Sequence, residues 1–192
     1  MLLKIAAIAA IVYLDQLTKW LITTYLPEDG IIIINGVLRF TYVENTGAAF
    51  GMLSDYRWVF ISLSSIAILG MLWYLFFKKP ESRLLNLSLV LLAGGGIGNM
   101  IDRVLLGYVV DFIDFYAFPK IWFWVFNIAD VCITIGTALL SLYLITSTIA
   151  ETKAGKVTAG SQKTESDIAA AAHKPQKPDK DNENPEADSS PS

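Results

Sequence analysis

The chain is short of the residues that most enzymes use. Its 192 residues hold one cysteine, Cys132, and one histidine, His173. A single cysteine excludes an intramolecular disulfide. His173 lies in a polar C-terminal stretch, so the apolar part can build neither a Ser-His-Asp nor a Cys-His site. A His/Cys zinc centre is equally out of reach. Charge is scarce as well: Asp, Glu, Lys and Arg make up 17% of residues, against about 25% in a soluble domain. The net charge of −3 provides no basic footprint for nucleic acid. Any chemistry in the apolar part must rest mainly on carboxylates.

What is abundant is apolar: 54% of residues are hydrophobic and mean hydropathy is +0.48. Four runs approach the roughly 20 apolar residues needed to cross a bilayer: Leu2–Leu21, Trp58–Phe77, Leu84–Leu106 and Ile121–Ile145. The first starts like a signal peptide. It contains Asp15 and Lys19, however, and lacks a small-residue cleavage site followed by a soluble domain, so it reads as a retained helix. Lys4, Lys78, Lys79, Arg83, Lys153 and Lys156 fall on one side of an even-numbered bundle. Arg39, Arg57, Lys120 and Arg103 fall on the other. This modest excess places both termini in the cytoplasm.

The segment between the first two helices is expected to fold. Ile31–Ile34 and Val37–Val43 flank Asn35-Gly36, a strong hairpin signal. The expected fold class is therefore all-α: four transmembrane helices with a small extracytoplasmic β-sheet between helices one and two. The other outer segment, 107–120, reads as an aromatic-rich loop, with Tyr108, Phe112, Phe115, Tyr116 and Phe118, then Trp122 and Trp124. Such residues favour the bilayer interface, and the loop could clamp a substrate. From Glu151 onward the chain is polar, without aromatics, and reads as a disordered cytoplasmic tail. The expected division is a membrane domain over 1–150 and a tail over 151–192.

Ionisable groups inside a bilayer are costly and mark function by default. Here they gather toward the outer ends of the spans. Asp111 lies among apolar residues at the membrane surface, and Asp130 lies in an apolar helix with no basic residue nearby in sequence. Two carboxylates in one desolvated site cannot both ionise easily, so the pair holds one proton. That equips them to activate water against an amide. Alternatively, each aspartate caps a helix or pairs with Arg103. Asp102 and Arg103 read first as an ion pair or hydrogen bonds that fix a helix end. Asn99 lies three residues before Asp102, and Asn127 three before Asp130. Each asparagine could hold a carboxylate, a substrate carbonyl or a buried polar partner. Asp114 reads as solvated. Asp15 and Lys19, at i and i+4, read as a structural ion pair. The run Gly94-Gly95-Gly96-Ile97-Gly98 permits close approach of another backbone or a lipid chain. Cys132 reads as a small buried hydrophobe.

Taken in order, Asn45-Thr46-Gly47-Ala48-Ala49-Phe50, Gly95 through Asn99-Met100-Ile101-Asp102-Arg103, Val109-Val110-Asp111-Phe112 and Phe126-Asn127-Ile128-Ala129-Asp130 closely resemble the bacterial signal peptidase II, or lipoprotein signal peptidase, family. Asp15 and Lys19 fit its first block, and the likeness covers about residues 1–150. Each motif is short; all of them in order make the signal specific. The resemblance implies a cofactor-free, metal-free aspartic peptidase of the bacterial inner membrane. It implies cleavage of diacylglyceryl-modified prolipoproteins just before the lipid-modified cysteine. The implied catalytic pair is Asp111 and Asp130. Asn45, Gly47, Asn99, Arg103 and Asn127 match positions lining or supporting the substrate site, and Asp15, Lys19 and Asp102 match stabilising positions. Globomycin-type cyclic peptides are implied inhibitors, and membrane lipid an implied partner. Two other classes compete on composition: a small transporter, against which the lack of an internal repeat counts, and a structural membrane adaptor.

Overall fold

The computed structural model describes residues 1–46, 57–117 and 125–172. Of the residues named above, Gly47, Ala48, Ala49, Phe50, Phe118, Lys120, Ile121, Trp122, Trp124 and His173 lie outside these.

The apolar runs are helical: α1 (Leu2–Tyr25), α2 (Arg57–Trp73), α3 (Arg83–Leu105) and α4 (Ile128–Ala172). Four stretches are long and apolar enough to span a membrane: Leu2–Tyr25, Ile61–Lys78, Arg83–Leu105 and Ile128–Ala150. At 1.5 Å per residue the 24 residues of α1 extend about 36 Å, enough to cross a hydrocarbon core of about 30 Å. α3 is the central element. Half of its span is buried, against 11–17% of the other three, whose outward faces carry apolar side chains suited to lipid.

The glycine run explains how one helix serves three neighbours. Successive residues of a helix step round its axis by about 100°. A Cβ at Gly94 would lie 2.9 Å from Ile11 of α1. One at Gly95 would lie 2.5 Å from the Ala129 carbonyl of α4, and one at Gly96 would lie 3.1 Å from Ile68 of α2. Each partner thus uses a different missing side chain. Below them Ile8, Leu75, Leu85, Leu89, Val90 and Ala93 form the core.

α2 ends in a widened π-turn (Tyr74–Lys78) that stops at Lys79, in the left-handed region at φ 50°, ψ 61°. Such a conformation costs a non-glycine residue roughly 1–2 kcal/mol. Pro80 follows, and Ser82 Oγ accepts from the Leu85 N–H to start α3.

The sheet is larger than the hairpin alone. Strands β1 (Ile31–Ile34) and β2 (Leu38–Asn45) form that hairpin, with Gly36 at φ 74° in the turn. To β2 are added β3 (Val109–Phe115) and β4 (Val125–Phe126), all antiparallel, in the order β1-β2-β3-β4. Most of the described part of the segment expected as an aromatic loop is therefore a strand, and Phe112 is buried, edge-on to Phe40 at 5.9 Å. Helix four likewise starts later than expected. Val125–Phe126 pairs with β3, and Asn127 and Asp130 cap the helix reciprocally at its start.

The chain divides into two units, Met1–Thr146 and Ser147–Ser192. In the second, the backbone is helical as far as Ala172, where composition predicts a disordered tail. The segment 151–172 contains the strong helix formers Ala, Glu, Lys and Gln and no proline. Residues 173–192 lie outside the described residues.

Candidate functional site

Buried polar groups of the first unit converge where the C-terminal halves of α1 and α3 and the start of α4 meet β3. They form two connected clusters.

The first cluster is built on Lys19, which is 4% exposed. Its ammonium lies 2.8 Å from Asp15 Oδ2 and 2.9 Å from Asp102 Oδ2, and donates to Asn99 Oδ1 at 3.0 Å. Three acceptors match its three hydrogens. Asp15 and Asp102 are themselves buried and occupied. Asp15 Oδ1 accepts from the Ala129 N–H of α4 at 2.9 Å, and Asp102 Oδ2 accepts from the Val110 N–H of β3 at 3.1 Å. Gln16 Nε2 donates to Asp102 Oδ1 at 2.8 Å and to the Gly98 carbonyl at 3.2 Å. One ammonium and two carboxylates thus join α1, α3, β3 and α4. Asp102 pairs with Lys19 rather than with Arg103. Arg103 Nη1 donates to the Asn99 carbonyl at 3.4 Å, one turn back.

The second cluster holds Asp111 and Asp130, and its donors are amides. Asp111, buried on β3, accepts from Asn45 Nδ2 at 2.8 Å and from Asn127 Nδ2 at 2.7 Å. Asp130, half-buried in the first turn of α4, accepts from Asn99 Nδ2 at 2.7 Å and from the Asn127 N–H at 3.2 Å. Both asparagines are locked in orientation. Lys19 can only donate, so the Asn99 atom facing it is oxygen, which leaves the amide nitrogen for Asp130. The Asp130 N–H donates to Asn127 Oδ1 at 2.9 Å, which leaves the Asn127 nitrogen to reach Asp111 and, at 3.1 Å, Asn99 Oδ1. The helix-cap alternative thus holds for Asp130, but it uses only one of the two oxygens.

Burial pushes the Asp111 carboxyl up from 3.8 to about 6. The nearby charge of Asp130 adds to this, while the Asn45 and Asn127 donors and the more distant Lys19 oppose it. Asp111 therefore lies in a site that disfavours its charge, with a second carboxylate beside it.

Asp114 is not solvated. It lies across from Arg39 in the β2–β3 register, and Arg39 Nε donates to its Oδ2 at 2.6 Å. Gln16 and Asn86 escaped the sequence reading. Their signal was available, since each is an amide within or beside an apolar run. Two apolar clefts open on the helices, about 410 Å3 between α2 and α3 (lined by Ile68, Ile97, Met100 and Leu105 among others) and about 570 Å3 between α1 and α2, ending at Gln16. Neither is lined by Asp111 or Asp130.

A family profile described as Signal peptidase (SPase) II matches residues 7–146. The chain belongs to the signal peptidase II family. Relatives agree over most of their length. The lipoprotein signal peptidase of Symbiobacterium thermophilum is 48% identical over 148 residues, covering 76% of this chain and 95% of that protein. That of Clostridium tetani is 42% identical over 144 residues, covering 74% and 92%. Among solved structures, a bacterial membrane enzyme determined by the in meso method at 2.3 Å superposes with a TM-score of 0.69 and 34% identity, over 77% of this chain and 90% of that one. A second, at 1.9 Å, gives 0.68 and 34%, over 75% and 93%. This signal peptidase II family chain is a multi-pass membrane protease.

Proposed function

We propose that this chain is an aspartic endopeptidase. On this reading it removes the signal peptide from diacylglyceryl-modified prolipoproteins, cutting just before the lipid-modified cysteine, with Asp111 and Asp130 as the catalytic pair. The observation that carries this reading is the difference in donors. Asp111 and Asp130 are held by neutral amides and face each other's charge, so a proton can reside on the pair. One aspartate, ionised, takes a proton from water as the water attacks the scissile carbonyl. The other, protonated, donates to the carbonyl oxygen and then serves the departing amine. Asn45, Asn99 and Asn127 position the pair, while Arg103, together with Gly47, belongs to the substrate-lining set. Asp15, Lys19 and Asp102 hold the helices.

The apolar clefts on the lipid-facing helices suit the acyl chains of a substrate arriving from within the bilayer. The excess of Lys and Arg at the end of the bundle away from the site supports a reading with both termini in the cytoplasm and the carboxylates near the extracytoplasmic face of the bacterial inner membrane. Every oxygen of the pair already accepts an N–H, a poor arrangement for ligating a metal, and activity should survive EDTA. A globomycin-type cyclic peptide is expected to bind against the pair.

The test is cleavage of a diacylglyceryl-modified precursor by purified Asp111→Asn and Asp130→Asn. General acid–base roles predict a loss of about 100- to 10,000-fold each, with melting temperature and inhibitor binding retained. Full cleavage by either folded variant ends the reading.

A further inference from the structure

At the end of the bundle opposite the carboxylates, the start of α1 and the α2–α3 connection enclose a cavity of about 290 Å3. It is lined by Met1, Lys4, Leu75, Phe76, Lys79 and Pro80. Its lining is far more polar than that of either apolar cleft. Leu75, 1% exposed, forms its floor. The wall is tied by one amide: Asn86 Oδ1 accepts from Lys4 Nζ, and Asn86 Nδ2 donates to the Pro80 carbonyl at 2.6 Å and the Ser82 carbonyl at 2.8 Å.

Two cations, Lys4 and Lys79, line the cavity, and Lys78 and Arg83 flank it in the α2–α3 connection, where Glu81 is the only acid. The ion pairs among the described residues use Lys19 and Arg39, and none uses these four. Lys78 lies 5.4 Å from the Trp73 ring, an arrangement that anchors an element at the bilayer boundary. Orientation in the membrane requires only loop charges. It does not require a polar cavity, a left-handed lysine on its rim, or an amide that fixes its wall. Beside the cavity Leu2, Leu3 and Phe77 are largely exposed, so an apolar chain can lie alongside a head group seated in it.

We propose that this cavity binds the phosphate of an anionic phospholipid, with Lys4 and Lys79 as its charge contacts. Free phosphate offers the same anion. The lipid is the assigned occupant because the cavity sits where an apolar span meets the membrane surface and has apolar side chains beside it. Anionic lipid at a bilayer surface attracts such juxtamembrane bases, and a ligand bound only by the folded state raises its stability.

The experiment uses the full chain in neutral detergent. It follows melting temperature and retained lipid by native mass spectrometry, with phosphatidylglycerol, phosphatidylcholine or inorganic phosphate added. Phosphatidylglycerol alone is expected to raise the melting temperature and to remain bound. Lys79→Asn keeps a residue that tolerates the left-handed backbone and removes the charge. It should melt normally without lipid and bind phosphatidylglycerol about fivefold more weakly, the factor for one basic residue near an anionic surface. Lys4→Gln should lose the lipid effect similarly, even if the lost Asn86 contact lowers its own stability. Arg39→Gln, which removes a cation from the far end, should keep it. An undiminished phosphatidylglycerol effect in Lys79→Asn overturns the proposal. So does an equal effect of phosphatidylcholine, or of inorganic phosphate alone.

Discussion

Asp15 and Asp102 share a buried lysine, whereas Asp111 and Asp130 share only amides. The two clusters are adjacent and linked through Asn99, yet their chemistry differs. A carboxylate that faces an ammonium has its charge balanced, and protonating it would strand the cation; such a group holds structure. A carboxylate that faces neutral donors and another carboxylate can gain or lose a proton without breaking an ion pair. The family resemblance selected Asp111 and Asp130, and the difference in partners supplies a physical reason for that choice.

The largest effects should come from the dyad replacements described above, which are expected to abolish turnover without unfolding the protein. Lys19→Met should act first on stability. Removing one partner of a buried ion pair costs roughly 3–5 kcal/mol, so a large fall in unfolding free energy is expected by reversible denaturation in detergent. If Lys19→Met keeps its stability, the distinction between the clusters collapses. Gly95→Ala should cost about 1–3 kcal/mol by overpacking, because its Cβ would lie 2.5 Å from the Ala129 carbonyl. Its melting curve checks whether the close approach of α3 and α4 is required.

A finer test uses pH. Asp111 has a folded value of about 6, above its ordinary 3.8. Between those values the folded state binds the proton and the unfolded chain does not, so stability should fall as pH rises through that window. Asp111→Asn should flatten this slope in a series of denaturation curves. Asn45 donates to the ionised form and holds the value down, so Asn45→Ala should move the alkaline limb of the kcat/KM profile to higher pH. A limb that moves to lower pH contradicts the role given to this amide. The smallest effect is expected from Asp114→Asn. Its partner Arg39 is 48% exposed, and such pairs contribute less than about 1 kcal/mol. A larger loss on melting would mean that the sheet depends on a third carboxylate outside both clusters.

The helices were legible because about 20 apolar residues in a row admit few other folds. The β1–β2 hairpin was legible because Asn35-Gly36 is a local signal. Strand β3 was not, since Val109–Phe115 pairs with Leu38–Asn45, some 70 residues earlier, and no local pattern declares a partner so distant. Asp114 was misread for the same reason: in a strand it turns to the opposite face from Asp111, and its fate depends on Arg39 across the ladder. Asp111 and Asp130 could be singled out as charges in apolar surroundings. That Lys19 leaves them to the amides, and takes Asp15 and Asp102 for itself, is decided by packing among α1, α3 and α4.

Asp15 accepts the N–H of Ala129, 114 residues further along. Helix α1 thus supplies a cap for α4. Asn45, Asn99 and Asp111 all precede Asn127 and Asp130 in the chain, so on the proposed reading the site is completed only once the start of α4 has been made.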